Sequence, residues 1–306
     1  MNWRDRVKKK LLSSLVLTLA ALLILVGCSN GVKKDDGEIN VVTTTDFYGE
    51  VATAVVGTKG KVTAVINSSK TDPHDFEPTT KTAKQVDNAD LVIQNGLGYD
   101  SWMKQLIKVQ NTEAIDVGVD VAKKKTGDNP HIWYYPEIMS KLADRIAADL
   151  GGKYPTSKDY FRKNAEKYKK SLKPMQELVA EMKNKYLDSS NKVAFVSEPV
   201  FDYSIKALGF KIGNPEFEAA IEKETDPSPQ SIEEMRKQIK QRKVRFFVVN
   251  EQVDNPVISE LVELADKNNV PVLKVTETLP EGKTYIQWMT DTYKNLERIL
   301  LLNARK

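Results

Sequence analysis

The sequence predicts an α/β protein of two similar, Rossmann-like parallel-sheet lobes joined by one long helix. Three observations carry this. Short apolar runs alternate with segments of helical period, the alternation begins again in the second half, and an apolar stripe spaced by three and four fills the stretch between. Uninterrupted apolar strands belong to parallel sheets, because the helical crossovers bury both faces of the sheet.

In the first half, Ile39 to Thr44 is the first expected strand, followed by an amphipathic helix near Tyr48 to Val56. Val62 to Ile66 is a second strand and Leu91 to Gln94 a third, with a helix from Thr80 to Val86 between them. A further helix is expected over Pro136 to Leu150. The second half restarts at Val193 to Val196, with a helix over Val200 to Leu208. Ser231 to Gln241, Pro256 to Lys267 and Tyr285 to Leu302 are expected helices, and Phe246 to Val249 and Val272 to Val275 are expected strands. Local motifs rhyme as well. Thr71-Asp72-Pro73, a helix and Leu91-Val92-Ile93-Gln94-Asn95 recur as Thr225-Asp226-Pro227, a helix and Phe246-Phe247-Val248-Val249-Asn250.

Between the halves, Phe161, Ala165, Tyr168, Leu172, Met175, Val179, Met182 and Tyr186 lie on one helical face. Such a rod spans about 39 Å at 1.5 Å per residue, enough to cross both lobes. Pro174 lies mid-way and is expected to kink it, since it removes one backbone donor. A helical link restricts hinge bending more than flexible strands would.

The N-terminus has the form of a secretory signal. Arg4, Arg6 and Lys8 to Lys10 precede the uncharged run Leu11 to Val26, which is short for a membrane span. The run ends at Leu25-Val26-Gly27-Cys28, which resembles the bacterial lipobox. Cys28 is the single cysteine, so no intrachain disulfide is possible, and lipidation would remove its thiol. Acyl chains contribute about 0.8 kcal/mol per buried methylene, so two or three anchor a protein without a spanning helix. Ser29 to Gly37 is polar and expected to be a flexible tether.

The formal charge of +4 comes from the leader. Residues 1–27 carry five basic groups and one acidic one, which leaves 41 of each sign beyond them. That balance argues against nucleic acid or an anionic membrane surface as the ligand. The expected divisions are a signal peptide at 1–27, lipidated Cys28 and tether at 28–37, an N-terminal lobe at 38–152, a linking helix at 153–187 and a C-terminal lobe at 188–306.

The chain has two histidines, each behind a proline, in Asp72-Pro73-His74 and Asn129-Pro130-His131. Neutral imidazole is the commonest ligand of transition metals, and the proline restricts the backbone that aims it. Glu198 follows the strand ending at Val196, and Glu277 follows the strand ending at Val275. Ligands of open α/β sheets bind beyond the carboxyl ends of strands. His74, His131, Glu198 and Glu277 are thus expected to converge in the crevice between the lobes as a metal site.

These motifs resemble those of the metal-binding lipoproteins of bacterial ABC importers for manganese and zinc, from the lipobox to the C-terminal helix. Asp72-Pro73-His74-Asp75-Phe76-Glu77-Pro78 is similar to that family's D-P-H-x-[YF]-E-P segment, which carries its first histidine ligand. Ala89 to Gly98 resembles the segment that follows. Asn129-Pro130-His131-Ile132-Trp133 is similar to D-P-H-x-W with the second histidine. Asn129 for Asp is a departure expected to weaken a hydrogen bond behind the ring. Ser197-Glu198-Pro199-Val200-Phe201-Asp202-Tyr203 matches the third-ligand segment, and Glu277 falls where the fourth ligand sits.

The resemblance implies a monomeric, lipid-anchored protein on the outer face of a bacterial cell membrane that captures Mn²⁺ or Zn²⁺ and delivers it to an ABC permease. The donor set suits Mn²⁺, Zn²⁺ or Fe²⁺. A His-rich loop of zinc-type relatives is missing from the sequence, which tilts the expectation slightly to Mn²⁺. A secreted metallohydrolase is the first rival. It needs an open metal position and a general base, and H-E-x-x-H is absent. Gly282-Lys283-Thr284 ends like a phosphate loop, but Glu277 stands where its first glycine belongs. The second rival is a surface adhesin, with Tyr48, Trp102, Trp133, Tyr134 and Tyr135 as its contact surface.

Overall fold

Among the described residues, eight short strands, all paired in parallel, form two four-stranded sheets of the same topology. The computed structural model describes residues 38–303 except Asp72, His74, Asp75 and Asp188. The expected signal segment, Cys28, the tether and His74 therefore lie outside the described residues. In the first lobe, β1 (Ile39–Thr45), β2 (Gly60–Ile66), β3 (Leu91–Gln94) and β4 (Ala114–Asp116) are ordered β2-β1-β3-β4. In the second, β5 (Val193–Val196), β6 (Lys211–Ile212), β7 (Phe246–Asn250) and β8 (Val272–Val275) are ordered β6-β5-β7-β8. The first strand in sequence is central in each sheet, flanked by the second and third. In register, Val41 faces Val62 on one side and Leu91 on the other. The repeated order extends the rhyme seen in the sequence to the topology.

The helices are α1 (Asp46–Val56), α2 (Thr80–Asp87), α3 (Ser101–Gln110), α4 (Ile138–Lys153), α5 (Lys158–Lys185), α6 (Asp202–Ala207), α7 (Pro215–Glu222), α8 (Pro229–Lys240), α9 (Pro256–Lys267) and α10 (Tyr285–Asn303). Five elements differ from expectation. The segment expected as one helix from Val200 divides into a 3₁₀ turn, Pro199–Phe201, and α6. The edge strands β4 and β6, three and two residues long, are too short to leave a period in the sequence. Helices α3 and α7 were not expected. In α3 the buried side chains are Trp102 and Met103 alone, so no stripe marks it.

The linking helix α5 runs 28 residues, and all eight residues of the predicted stripe are buried. It continues through Pro174. Both Pro174 and Lys170, whose carbonyl loses its helical donor there, are exposed, so water can replace that bond. One continuous apolar core runs from Ile39 and Phe47 through the α5 stripe to Phe246, Trp288 and Leu300. The lobes therefore share a core rather than meeting across a wet seam. Cross-lobe hydrogen bonds add to it. Tyr285 donates its hydroxyl to the Trp133 carbonyl at 2.6 Å, and its backbone N–H donates to Glu50 Oε2 at 2.7 Å. Among the described residues no helix is long and apolar enough to cross a membrane.

Candidate metal centre

The first wall of the site is built from the ends of β1 and β3. Asp100 Oδ2 accepts from the Thr44 hydroxyl and the Asn95 N–H, both at 2.6 Å, and Oδ1 accepts from Gly96 N–H at 2.8 Å. Burial pushes this carboxyl up to about 6 even so. The turn needs glycine at position 96, where φ is 77° and a Cβ would collide with the Asp116 carboxylate. Asn95, held this way, accepts from the Tyr48 hydroxyl at 2.5 Å and donates to the Pro130 carbonyl at 3.0 Å. That last bond fixes the residue before His131.

His131 is 1% exposed. Asn129 Oδ1 accepts its backbone N–H at 2.9 Å and stands 2.9 Å from Nδ1. The other end of the Asn129 amide donates to the Pro199 carbonyl at 2.6 Å, so its orientation is fixed. The ring proton therefore sits on Nδ1 and the lone pair on Nε2, the tautomer a metal ligand requires. Trp133 meets the ring edge-on at 5.2 Å. Asn129 keeps the hydrogen bond that its substitution for Asp was expected to weaken. It adds a donor that a carboxylate lacks, and that donor reaches the other lobe beside Glu198.

The second wall comes from the ends of β5, β7 and β8. Glu198 lies two residues past β5, and its Oε2 accepts from Asn250 Nδ2 at 2.8 Å. Asn250, at the end of β7, is itself held by its own N–H on Ser197 Oγ at 2.9 Å and by Gln252 N–H on Oδ1 at 3.1 Å. Glu277 lies two residues past β8, with its N–H on Gln252 Oε1 at 2.6 Å. Its carboxylate lies against the buried Tyr99 hydroxyl of the first lobe. Burial, then the Glu277 charge, pushes that phenol well above its ordinary range.

Glu198 and Glu277 line one cleft of about 600 Å³ between the lobes, with Ser69, Thr71 and Pro73 on the facing side. The Pro73 backbone is pinned there by Trp102, whose Nε1 donates to its carbonyl at 3.1 Å. A further carboxylate, Glu222 at the end of α7, lines the same cleft and places Oε2 at 4.0 Å from His131 Nε2. Burial first, then the charges of Glu198, Glu277 and Asp202, push Glu222 up to about 8. Of the four sequence candidates, Glu198 and Glu277 thus share the cleft and His131 lies beneath it, beside Glu222. His74 is outside the described residues, and among those described no group of three or more His, Cys, Asp or Glu side chains is closed enough to hold an ion. Glu222 was missed by sequence reasoning. The available signal was its place three residues before Thr225-Asp226-Pro227, the counterpart of the segment that leads to His74.

The aromatic contact surface is corrected by burial. Tyr48, Trp133 and Tyr134 are wholly enclosed and Trp102 is 8% exposed. Trp133 packs on Phe47 at 5.1 Å and on Tyr134 at 6.4 Å, while Trp102 packs on Phe76 at 4.6 Å.

A family profile described as zinc-uptake complex component A, periplasmic (ZnuA), matches residues 41–299. The metal ABC transporter substrate-binding lipoprotein FimA of Streptococcus parasanguinis is 29% identical over 280 residues, covering 86% of this chain and 88% of that protein. The manganese ABC transporter substrate-binding lipoprotein PsaA of Streptococcus pneumoniae is 27% identical over 314 residues, covering 95% and 98%. Among solved structures, the Zn(II)-bound ZnuA-like domain of Streptococcus pneumoniae AdcA superposes with a TM-score of 0.65 at 23% identity, covering 86% of this chain and 99% of that one.

Proposed function

The chain belongs to the ZnuA family of zinc-uptake complex component A proteins, and from that premise we propose that it captures a divalent transition-metal ion, Mn²⁺ or Zn²⁺, for an ABC importer. The observation that carries the reading is the pair of walls. His131 Nε2 bears its lone pair at one, and Glu198 and Glu277 stand at strand ends on the other. His74, which lies outside the described residues, is the fourth donor in this reading; it follows Pro73 in sequence, and Pro73 lines the cleft. Capture involves no turnover. The four donors close around the ion, the closed form docks on the permease, and ATP hydrolysis elsewhere drives release.

The donor set is two imidazoles and two carboxylates, which accommodates four-coordinate Zn²⁺ and, with bidentate carboxylates, the higher numbers Mn²⁺ accepts. Mn²⁺ is slightly favoured, in keeping with the name carried by PsaA. In the same reading residues 1–27 are removed, a lipid on Cys28 holds the monomer at the outer face of the membrane, and residues 28–37 tether it. The lobes are then 38–152 and 188–306, linked by 153–187.

Chelator-buffered competitive titration of the detergent-solubilised protein with Mn²⁺ and Zn²⁺ tests this. One tight equivalent that is lost in His131→Ala and in Glu198→Ala supports the site. Absence of stoichiometric binding of either ion overturns it.

A further inference from the structure

Glu222 is none of the four donors assigned above, yet it faces the one ring nitrogen that matters. The Asn129 amide holds the proton of His131 on Nδ1, and Glu222 Oε2 stands 4.0 Å from Nε2. An ion about 2.1 Å from each of two donors keeps them roughly 3 Å apart at a right angle and about 4.2 Å apart in line. The observed separation lies inside that interval, so the distance between the two atoms is compatible with one shared ion.

The helix that presents Glu222 is anchored. Asn214, just before α7, accepts from Val196 N–H at 3.1 Å and donates to the Val196 carbonyl at 2.7 Å. Val196 ends β5, the strand that leads to Glu198. Phe217 and Ile221 of α7 are buried in the core of the second lobe. Glu198 and Glu222 thus belong to one rigid frame, while the Glu222 side chain remains 23% exposed toward the cleft.

We propose that Glu222 is a fifth protein donor to the captured ion and biases the site toward ions that accept five or six oxygen-rich donors. This rests on the metal-site reading above. Two imidazoles and two carboxylates already complete a tetrahedral Zn²⁺ shell. A third carboxylate gives an N₂O₃ set, or six donors if one carboxylate is bidentate. Mn²⁺ suits such carboxylate-rich, higher-coordinate shells, whereas Zn²⁺ gains little beyond four ligands. Glu222 therefore acts on the ratio of the two affinities more than on either alone.

The test is the same competitive titration on the unaltered protein, Glu222→Gln and Glu222→Asp, with Mn K-edge X-ray absorption of the Mn²⁺-loaded forms. Glu222→Gln keeps the size and loses the donor charge, and Glu222→Asp keeps the charge but withdraws it by one methylene. Both are expected to weaken Mn²⁺ about tenfold or more, the scale of perturbed metal sites, and to change Zn²⁺ much less. The first shell of Mn²⁺ changes in Glu222→Asp, whose carboxylate is withdrawn from the ion. Equal weakening of both ions, or an unchanged Mn²⁺ shell in that variant, overturns the proposal and leaves Glu222 as a support for His131. Failure of the unaltered protein to bind either ion overturns the metal-site reading itself, a result visible before any variant is made.

Discussion

Asn95 and Asn250 occupy the same place in the two sheets, at the carboxyl end of the third strand in spatial order, and each positions one candidate metal donor. Asn95 donates to the Pro130 carbonyl and so fixes the residue before His131. Asn250 donates directly to Glu198 Oε2. The rhyme between the two halves thus extends from strands to the residues that aim the candidate ligands. In the first lobe the aim is transmitted through backbone, and in the second through a side-chain contact.

Because of that difference, Asn250→Ala should lower metal affinity by roughly 10- to 100-fold with little change in the fold. Asn95→Ala should lower both affinity and stability, since it leaves the buried Tyr48 hydroxyl without its acceptor, at a cost of about 1–3 kcal/mol. Titration combined with thermal melting separates the two. Equal behaviour of the variants would contradict the assigned roles.

Asn129 uses both ends of its amide, one on His131 and one on the Pro199 carbonyl of the other lobe. Asn129→Ala should lose about 10- to 100-fold in affinity. Asn129→Asp keeps the acceptor for Nδ1–H, so affinity should stay close to that of the unaltered chain. It places a carboxylate oxygen against a carbonyl, and the melting temperature should fall by the equivalent of about 1–3 kcal/mol.

Across the cleft, Gln252 donates to the Ser69 carbonyl at 2.9 Å and to Thr278 Oγ1 at 2.8 Å, while its Oε1 accepts Glu277 N–H. Thr278 Oγ1 reaches the same Ser69 carbonyl at 3.1 Å. Gln252 thus latches the loop leading to His74 onto the segment carrying Glu277. With about 0.5–1.5 kcal/mol per hydrogen bond, Gln252→Ala should speed metal release by roughly an order of magnitude. Stopped-flow transfer to a chelator measures this, and an unchanged release rate would remove the latch.

The second lobe buries two neighbouring carboxyls. Glu218 is 8% and Asp202 3% exposed, with Lys206 at 2.8 Å from Asp202. Burial, then the Asp202 charge beside it, pushes Glu218 well above the ordinary carboxylate range, with Lys206 opposing and Glu222 adding to the shift. The folded chain therefore keeps a proton that the unfolded chain has released, so stability is greatest below the ordinary Glu value and falls as pH rises toward the folded one. Glu218→Gln should flatten this slope and exceed the unaltered chain at pH 8 by on the order of 1 kcal/mol or more. Denaturant melts at pH 5 and pH 8 check both the sign and the size.

The two parallel lobes and the linking helix were legible in the residues alone, as were the positions of three candidate donors, His131, Glu198 and Glu277. Strand runs and helical periods encode burial locally, which is why every residue of the stripe from Phe161 to Tyr186 is enclosed. Glu198 and Glu277 were legible because a residue just past a buried strand lies at the sheet's carboxyl end whatever the rest of the chain does. Tertiary structure alone decided what stands opposite each of them. Neither β4 nor β6 has a period of its own, and each exists through pairing with a distant strand. Glu222 comes within reach of His131, 91 positions earlier in the chain, only because Asn214 ties its helix to the end of β5. Contacts of that kind depend on how packed elements meet, and no local pattern of residues records them.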